Sequence, residues 1–429
     1  MTHPDSSIAT LMAEAAEAIG RGQNATALQR WQQAVRLDPR HAPALNYLGA
    51  HALAQGDGAT ADDYLTRAVE SDPDLAIAHA NLSRLHSQRG NASLALQSID
   101  RAIQAEPASW GPHFEKARLM EAAGRSREAA TAWGNGLQYM PDAVRNSMQL
   151  KPIVDRAAKA VSDNQRQLAE FLDERLQGLR GDSGQRELER INHALDIVTG
   201  RRSFVTARPL MVPIPRLPAI PFFHREDYPW TSDVEAAFPD VLRELNSLLA
   251  TDQDFVPYVQ TAPGQPMGQF AALDQSTNWG AYFLWKNGKR IDAHADRCPL
   301  TEAAIGRAPQ MQVNNRAPVI FFSALKPGTY IPPHNGATNA RLTVHLPLII
   351  PPDCGLRVGE ETHIWKPGEL VLFDDTIRHE AWNRSTQLRV VLIFDIWHPM
   401  LTPLERELIA HTIEGIIDFN GENADLGEL

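Results

Sequence analysis

The sequence predicts an α + β multidomain protein: an α-solenoid at the N-terminus and an antiparallel barrel or jelly roll at the C-terminus. Residue columns recurring every 34 positions predict the first part. Short apolar runs from Val319 to Pro399, divided by turn signals and by no helical stretch, predict the second. Between them, Pro209, Pro213, Pro215, Pro218 and Pro221 forbid helix and favour extended chain, marking a boundary near Arg202–Thr206.

The repeat is read from columns in phase. Pro39, Pro73, Pro107 and Pro141 form one, and Gly22, Gly56, Gly90 and Gly124 a second. Ala27, Ala61, Ala95 and Ala129 form a third, and Trp31, Leu65, Ile99 and Trp133 a fourth. A helix–turn–helix unit explains them: glycine in the turn, alanine where helices approach closely, proline after an acidic residue ending the unit. The pattern resembles the tetratricopeptide repeat, with about three and a half units expected over residues 8–142 and the first cut short at its start. Such a stack binds a peptide or partner protein on its concave face, or acts as a rigid spacer or self-association surface. Residues 143–204 are charged and helix-prone; they read as a helical cap on the solenoid or as a partly solvated linker.

Composition narrows the function classes. A formal net charge of -11 opposes binding to a phosphate backbone, so no nucleic-acid partner is expected. Only two cysteines occur, Cys298 and Cys354, which form neither a disulfide framework nor a thiolate metal site and suit a reducing compartment. The N-terminus lacks a basic start and an apolar run, and no stretch reaches 18 apolar residues. The expectation is a cytoplasmic protein with no membrane span.

The chemistry lies within residues 205–400. Val319–Leu325 reads as a strand and Lys326-Pro327-Gly328 as a turn. Pro332 and Pro333 then set up His334. Arg341, Thr343 and His345 alternate onto one face of the next strand. After the strand ELVLFDD a short loop delivers His379, 45 residues beyond His334, and a last strand follows over Leu388–Ile396. Two imidazoles at strand ends can meet at a barrel mouth, and with oxygen ligands they suit non-haem iron(II). Arg389 opens a strand that is apolar on both faces, and a buried arginine needs an anion. Trp279, Tyr282, Trp285 and Trp382 read as core aromatics, with Trp279 also placed to line a channel. A C-terminal helix and acidic tail complete the chain over residues 401–429.

FDDTIRHEAWN with Arg389, HNGATNARLTVH and the closing DIWHP resemble the aspartyl/asparaginyl β-hydroxylase family. YPWTSDVEA and WGAYFLWKNGKR extend the resemblance from about Pro209 to Pro399. It implies a double-stranded β-helix (jelly-roll, cupin-like) fold and an iron(II)- and 2-oxoglutarate-dependent dioxygenase. It implies His334 and His379 as iron ligands, and Arg389 as anchor of the 2-oxoglutarate carboxylate. Ser323 and His345 match positions that contact this cosubstrate, though Ser323 reads equally well as a strand-end hydroxyl. Arg341 is placed to meet the cosubstrate or a substrate carboxylate. Related oxygenases carry a carboxylate two residues after the first histidine. Here Gly336 stands there, as the resemblance leads one to expect, with Asp374 and Asp375 read as supporting residues. Many members carry a second arginine, associated with holding the carboxylate of a substrate aspartate, where this chain has Thr343, so an asparaginyl side chain, another side chain or a non-peptide substrate gains ground over an aspartyl one. Three readings follow: a hydroxylase of a protein or peptide side chain recruited by the repeats, a hydroxylase of a small molecule or lipid, and a non-catalytic scaffold. Substrate and oligomeric state are left open.

Overall fold

The computed structural model describes residues 4–181, 183–251, 255–261 and 268–420. The acidic tail falls outside them. The chain folds as two compact units, residues 1–202 and 203–429.

In the first unit the repeat columns become antiparallel helix pairs. These are α1 (Pro4–Gly20) with α2 (Asn24–Leu37), α3 (Ala42–Ala54) with α4 (Gly58–Ser71), α5 (Ala76–Gln88) with α6 (Ala92–Ala105), and α7 (Trp110–Ala122) with α8 (Ser126–Tyr139). The four column glycines sit inside the pairs at φ between 71° and 76°, a conformation that costs glycine nothing. The column alanines are buried where helices meet, and Trp31, Leu65, Ile99 and Trp133 form the core beside them. Gly49 in α3 admits α4 closely, since a Cβ there would meet the Leu65 side chain. Nε2–H of His79 and of His113 each donate to a proline carbonyl six residues earlier, Pro73 and Pro107, fixing the chain between units. The first unit is not cut short: α1 is a full helix whose Ala15 and Ala18 are buried, although it lacks the repeat's column residues.

Beyond α8, helix Lys151–Arg180 begins as a cap. Ile153, Val154, Ala157 and Val161 pack on the cluster containing Phe114 and Trp133. Its later turns are mostly exposed, and helix Gln185–Val198 buries no residue, so cap and solvated linker are consecutive parts of one segment.

The second unit is built on two antiparallel sheets. The strands are β1 (Phe222–Phe223), β2 (Val256–Pro257), β3 (Trp279–Lys286), β4 (Lys289–Arg290), β5 (Ile320–Leu325) and β6 (Tyr330–His334), then β7 (Arg341–Ile349), β8 (Cys354–Val358), β9 (Glu361–His363), β10 (Val371–Phe373), β11 (His379–Asn383) and β12 (Arg389–Trp397). The larger sheet has the order β1-β10-β7-β12-β5-β3-β2, with β4 paired to β3; the smaller is β6-β11-β8-β9. The β3–β4 hairpin turns through Asn287 and Gly288, both at positive φ, the backbone an Asn-Gly turn requires.

Period-two alternation sorts the larger sheet. Leu342, Val344, Leu346, Phe322, Leu392 and Phe394 join a core with Val241, Leu245 and Leu248 of helix Phe238–Leu249. The opposite face carries Trp279, Leu325, Val371, Phe373 and Val391, in one cluster with Ile331, Leu356, Val358 and Trp365 from the smaller sheet and its loops. The polar residues Ser323, Arg341, Thr343, His345, Arg389 and Asp395 share that second face by register. The proline-rich segment runs extended, with Met211, Val212 and Ile214 against Ala337, Ala340 and Trp397.

Within Val319–Pro399 two strands were not expected. YIPPH forms β6 despite two prolines because β6 is an edge strand, where missing N–H groups break no ladder. HEAWN is strand rather than loop: β11 pairs with β6 on one side and β8 on the other. Asn383 at its end is structural, its amide donating to the carbonyls of Leu325 and Gln387. Trp382 packs on Gly355, where a Cβ would overlap the indole.

Candidate active site

The β6–β11 register sets His334 directly opposite His379. Their rings lie 3.9 Å apart between centroids, inclined at 52°. Each Nδ1 faces a backbone carbonyl two residues earlier, Pro332 at 2.7 Å and Ile377 at 3.0 Å. A carbonyl only accepts, so each Nδ1 carries the proton and each neutral ring keeps its lone pair on Nε2. Burial keeps both rings neutral. It pushes His379 down to about 4, and it pushes His334 well below its usual value, with help from His379. Among the described residues no three His, Cys, Asp or Glu side chains converge as a metal site. The Nε2 lone pairs of His334 and His379 are the donors these two rings could offer a metal.

Gly336 and Asp375 adjoin the pair. The Gly336 N–H donates to the Asp375 carbonyl at 2.7 Å, and a Cβ on residue 336 would overlap the Asp375 carboxylate. Asp375 thus fills the space that a longer residue 336 would claim. One of its oxygens, Oδ1, is buried without a hydrogen-bond partner. Asp374 instead caps its own loop, accepting from the backbone N–H and hydroxyl of Thr376.

Arg389 is 1% exposed and, among the described residues, pairs with no carboxylate. Its Nη1 donates to the carbonyl and hydroxyl of Ser323, both at 3.3 Å. Its guanidinium lies 4.6 Å from the centre of the Trp365 ring, and its Nε has no partner. Burial without a counter-ion pulls this cation down to about 10. Beside it the buried Nδ1 of His345 and Nε1 of Trp365 also lack partners. This is a buried cluster of donors that faces no anionic acceptor among the described residues, the chemistry of an anion site.

Arg341 differs from expectation. Its two Nη atoms already hold anions: Asp395 at 2.6 Å and Asp375 at 3.1 Å. Burial pulls the guanidinium down, but the two carboxylates outweigh it and keep it charged. Asp395 is pushed up to about 6 by burial against the pull of Arg341. Thr343 stands opposite Asp395 in register, its hydroxyl 3.4 Å from the second carboxylate oxygen. Asp395 lies six residues from Arg389 on one strand, about 20 Å away at ~3.3 Å per residue. The site therefore has two polar poles: an unpaired cation at Arg389, and one cation shared by two acids at Arg341.

An aromatic wall borders His334. Phe270 meets its ring edge-to-face at 4.5 Å, Trp279 meets Phe270 at 5.3 Å, and Tyr258 stacks on Trp279 at 4.1 Å. Sequence reasoning missed Asp395, Trp365, Tyr258 and Phe270. Alternation along DIWHP puts Asp395 on the polar face, but nothing local marks the other three.

Stability should follow pH through these buried groups. His334, His345, His379 and His398 all have depressed folded pKa values. Their contribution is complete above the unfolded value of about 6.5 and is lost as pH falls through their lowered folded values, about 4 for His379 and His398. Asp374 and Asp395, both pushed up to about 6, act oppositely: their contribution is present below about 4 and lost as pH rises through 6. Four imidazoles outweigh two carboxyls. The metal-free protein should lose stability from pH 6.5 to 4, read as a falling urea midpoint; a flat or rising midpoint would contradict the neutral-histidine assignment.

Comparison with known proteins follows this division. Residues 235–399 match the family model described as aspartyl/asparaginyl beta-hydroxylase, and residues 12–76 match a tetratricopeptide-repeat model. The chain carries a domain that matches this hydroxylase family model and a region that matches tetratricopeptide repeats. The human aspartyl/asparaginyl beta-hydroxylase is 32% identical over 181 residues, 42% of this chain and 24% of its own length. The ornithine lipid ester-linked acyl 2-hydroxylase of Rhizobium tropici is 28% identical over 186 residues, 43% of this chain and 62% of that protein. The human aspartate beta-hydroxylase domain-containing protein 1 is 34% identical over 208 residues, 47% of this chain and 50% of that protein. Each match spans less than two thirds of the relative. Among the described residues no helix is long and apolar enough to cross a membrane.

Proposed function

We propose that the second unit is a double-stranded β-helix dioxygenase that binds iron(II) through His334 and His379 and 2-oxoglutarate through Arg389, and that it hydroxylates an amino-acid side chain of a protein or peptide recruited by the repeats. The observation that carries this reading is the pairing of two neutral, Nε2-directed imidazoles with a buried guanidinium that has no counter-ion. A dicarboxylate cosubstrate would supply the anion that Arg389 lacks. Bound iron(II) with 2-oxoglutarate would supply the activation of dioxygen that no side chain provides.

The chain's own residues do the rest. The carbonyls of Pro332 and Ile377 fix the imidazole tautomers. Trp365 and Ser323 hold the plane of Arg389. Asp375 Oδ1 offers an acceptor beside the histidines, and Phe270 covers one edge of the His334 ring. Arg341 is already paired with Asp375 and Asp395 and Thr343 is uncharged, which favours an uncharged side chain over aspartate at this pole. A lipid or small-molecule substrate is the second reading. The apolar wall of Tyr258, Phe270 and Trp279 favours it, as does the lipid hydroxylation for which the Rhizobium relative is named.

The test is succinate formation by the protein given iron(II), 2-oxoglutarate, ascorbate and air. Arg389→Leu should raise the 2-oxoglutarate concentration for half-maximal turnover at least about tenfold, since a charge-assisted bidentate contact is lost. Absence of both succinate and 2-oxoglutarate binding in the wild type would overturn the reading.

A further inference from the structure

We infer that Trp279 is a positioning residue that sets affinity for the anionic cosubstrate by holding the Ser323 hydroxyl against Arg389; this rests on the cosubstrate reading above. Trp279, Ser323 and Arg389 occupy three adjacent strands, β3, β5 and β12, and share one face. Trp279 and Arg389 both stand directly opposite Leu325, on either side of it, so each reaches Ser323 diagonally. The indole Nε1–H donates to Ser323 Oγ at 3.1 Å, and Arg389 Nη1 donates to the same oxygen at 3.3 Å. All three side chains are buried.

A hydroxyl oxygen has two lone pairs and one proton. With both lone pairs taken by N–H donors, the Ser323 proton has to point away from Trp279 and Arg389. An anion gripped by Arg389 would accept it. Without the indole donor the hydroxyl is free to turn its proton elsewhere, and Arg389 shares its acceptor with nothing that fixes it. Trp279 is thus more than core packing: its ring closes the aromatic wall through Tyr258 and Phe270, while its single polar atom orders the anion cradle.

The experiment is calorimetric titration of 2-oxoglutarate into full-length protein loaded with zinc(II), which is redox-inert, so binding is read without turnover. Trp279→Phe keeps an aromatic ring and removes the donor. It should weaken binding about 5- to 10-fold, the worth of one buried neutral hydrogen bond. In iron-loaded protein the same variant should raise KM for 2-oxoglutarate by that factor and leave kcat within about twofold. In a Ser323→Ala background, Trp279→Phe should have no further effect, because its partner is gone. A Trp279→Phe protein that binds as tightly as wild type, or losses that simply add in the double variant, would overturn the inference and leave the cosubstrate reading intact. No binding by the wild type overturns both. If Trp279→Phe fails to fold, Trp279→Tyr and Ser323→Ala decide: unchanged affinity in either single variant overturns the inference, and losses in both that do not add in the double variant support it.

Discussion

His379→Ala should abolish metal-dependent succinate formation, with turnover falling at least about 100-fold. In the proposed site two imidazoles are the protein's metal donors, so removing one halves the set. Loss of residues that merely orient a metal ligand already costs about 10- to 100-fold in affinity or activity. The substitution leaves His334 facing an empty register position across the β6–β11 ladder, with Phe270 still on its edge. Metal affinity, measured by competition with a chromophoric chelator, should fall in parallel, while circular dichroism stays unchanged. Retained metal binding with retained turnover would remove the two-histidine site from consideration. Lost turnover with metal affinity intact would place His379 elsewhere in the chemistry.

Arg341→Met should destabilise the second unit by about 3–5 kcal/mol, the cost of removing one partner from a buried ion pair. Asp375 and Asp395 would be left buried, close together and without a cation. Two carboxylates in that position protonate rather than stay charged, so the defect should shrink as pH falls from 7 to 5. Asp395→Asn in the same background should restore part of the loss, because it removes one stranded charge. The measurement is the urea midpoint of the second unit's transition in metal-free protein, at both pH values, for the single and double variants. A loss under about 1 kcal/mol would mean that water reaches the cluster. The same residue, read from sequence, was a candidate to hold a ligand's anion. Its two carboxylate partners make it a structural support of the site.

Much of this protein is determined by its sequence alone. The solenoid is legible because each unit buries the same face, which forces glycine, alanine and proline into columns of fixed period. The alternation that puts Arg341, Thr343 and His345 on one face follows from strand geometry alone. His334 and His379 stood out as two histidines at strand ends, and Arg389 as a cation opening an apolar strand; the roles proposed for them came from the family resemblance. What tertiary structure decided depends on register. Only the β6–β11 ladder sets His334 against His379, and only the order β3-β5-β12 brings Trp279, Ser323 and Arg389 together. Trp365 under Arg389, and Asp375 and Asp395 around Arg341, come from strands and loops far apart along the chain. Periodicity reports which face a side chain takes. Which partner it meets there is settled by long-range pairing between strands, which no local pattern encodes.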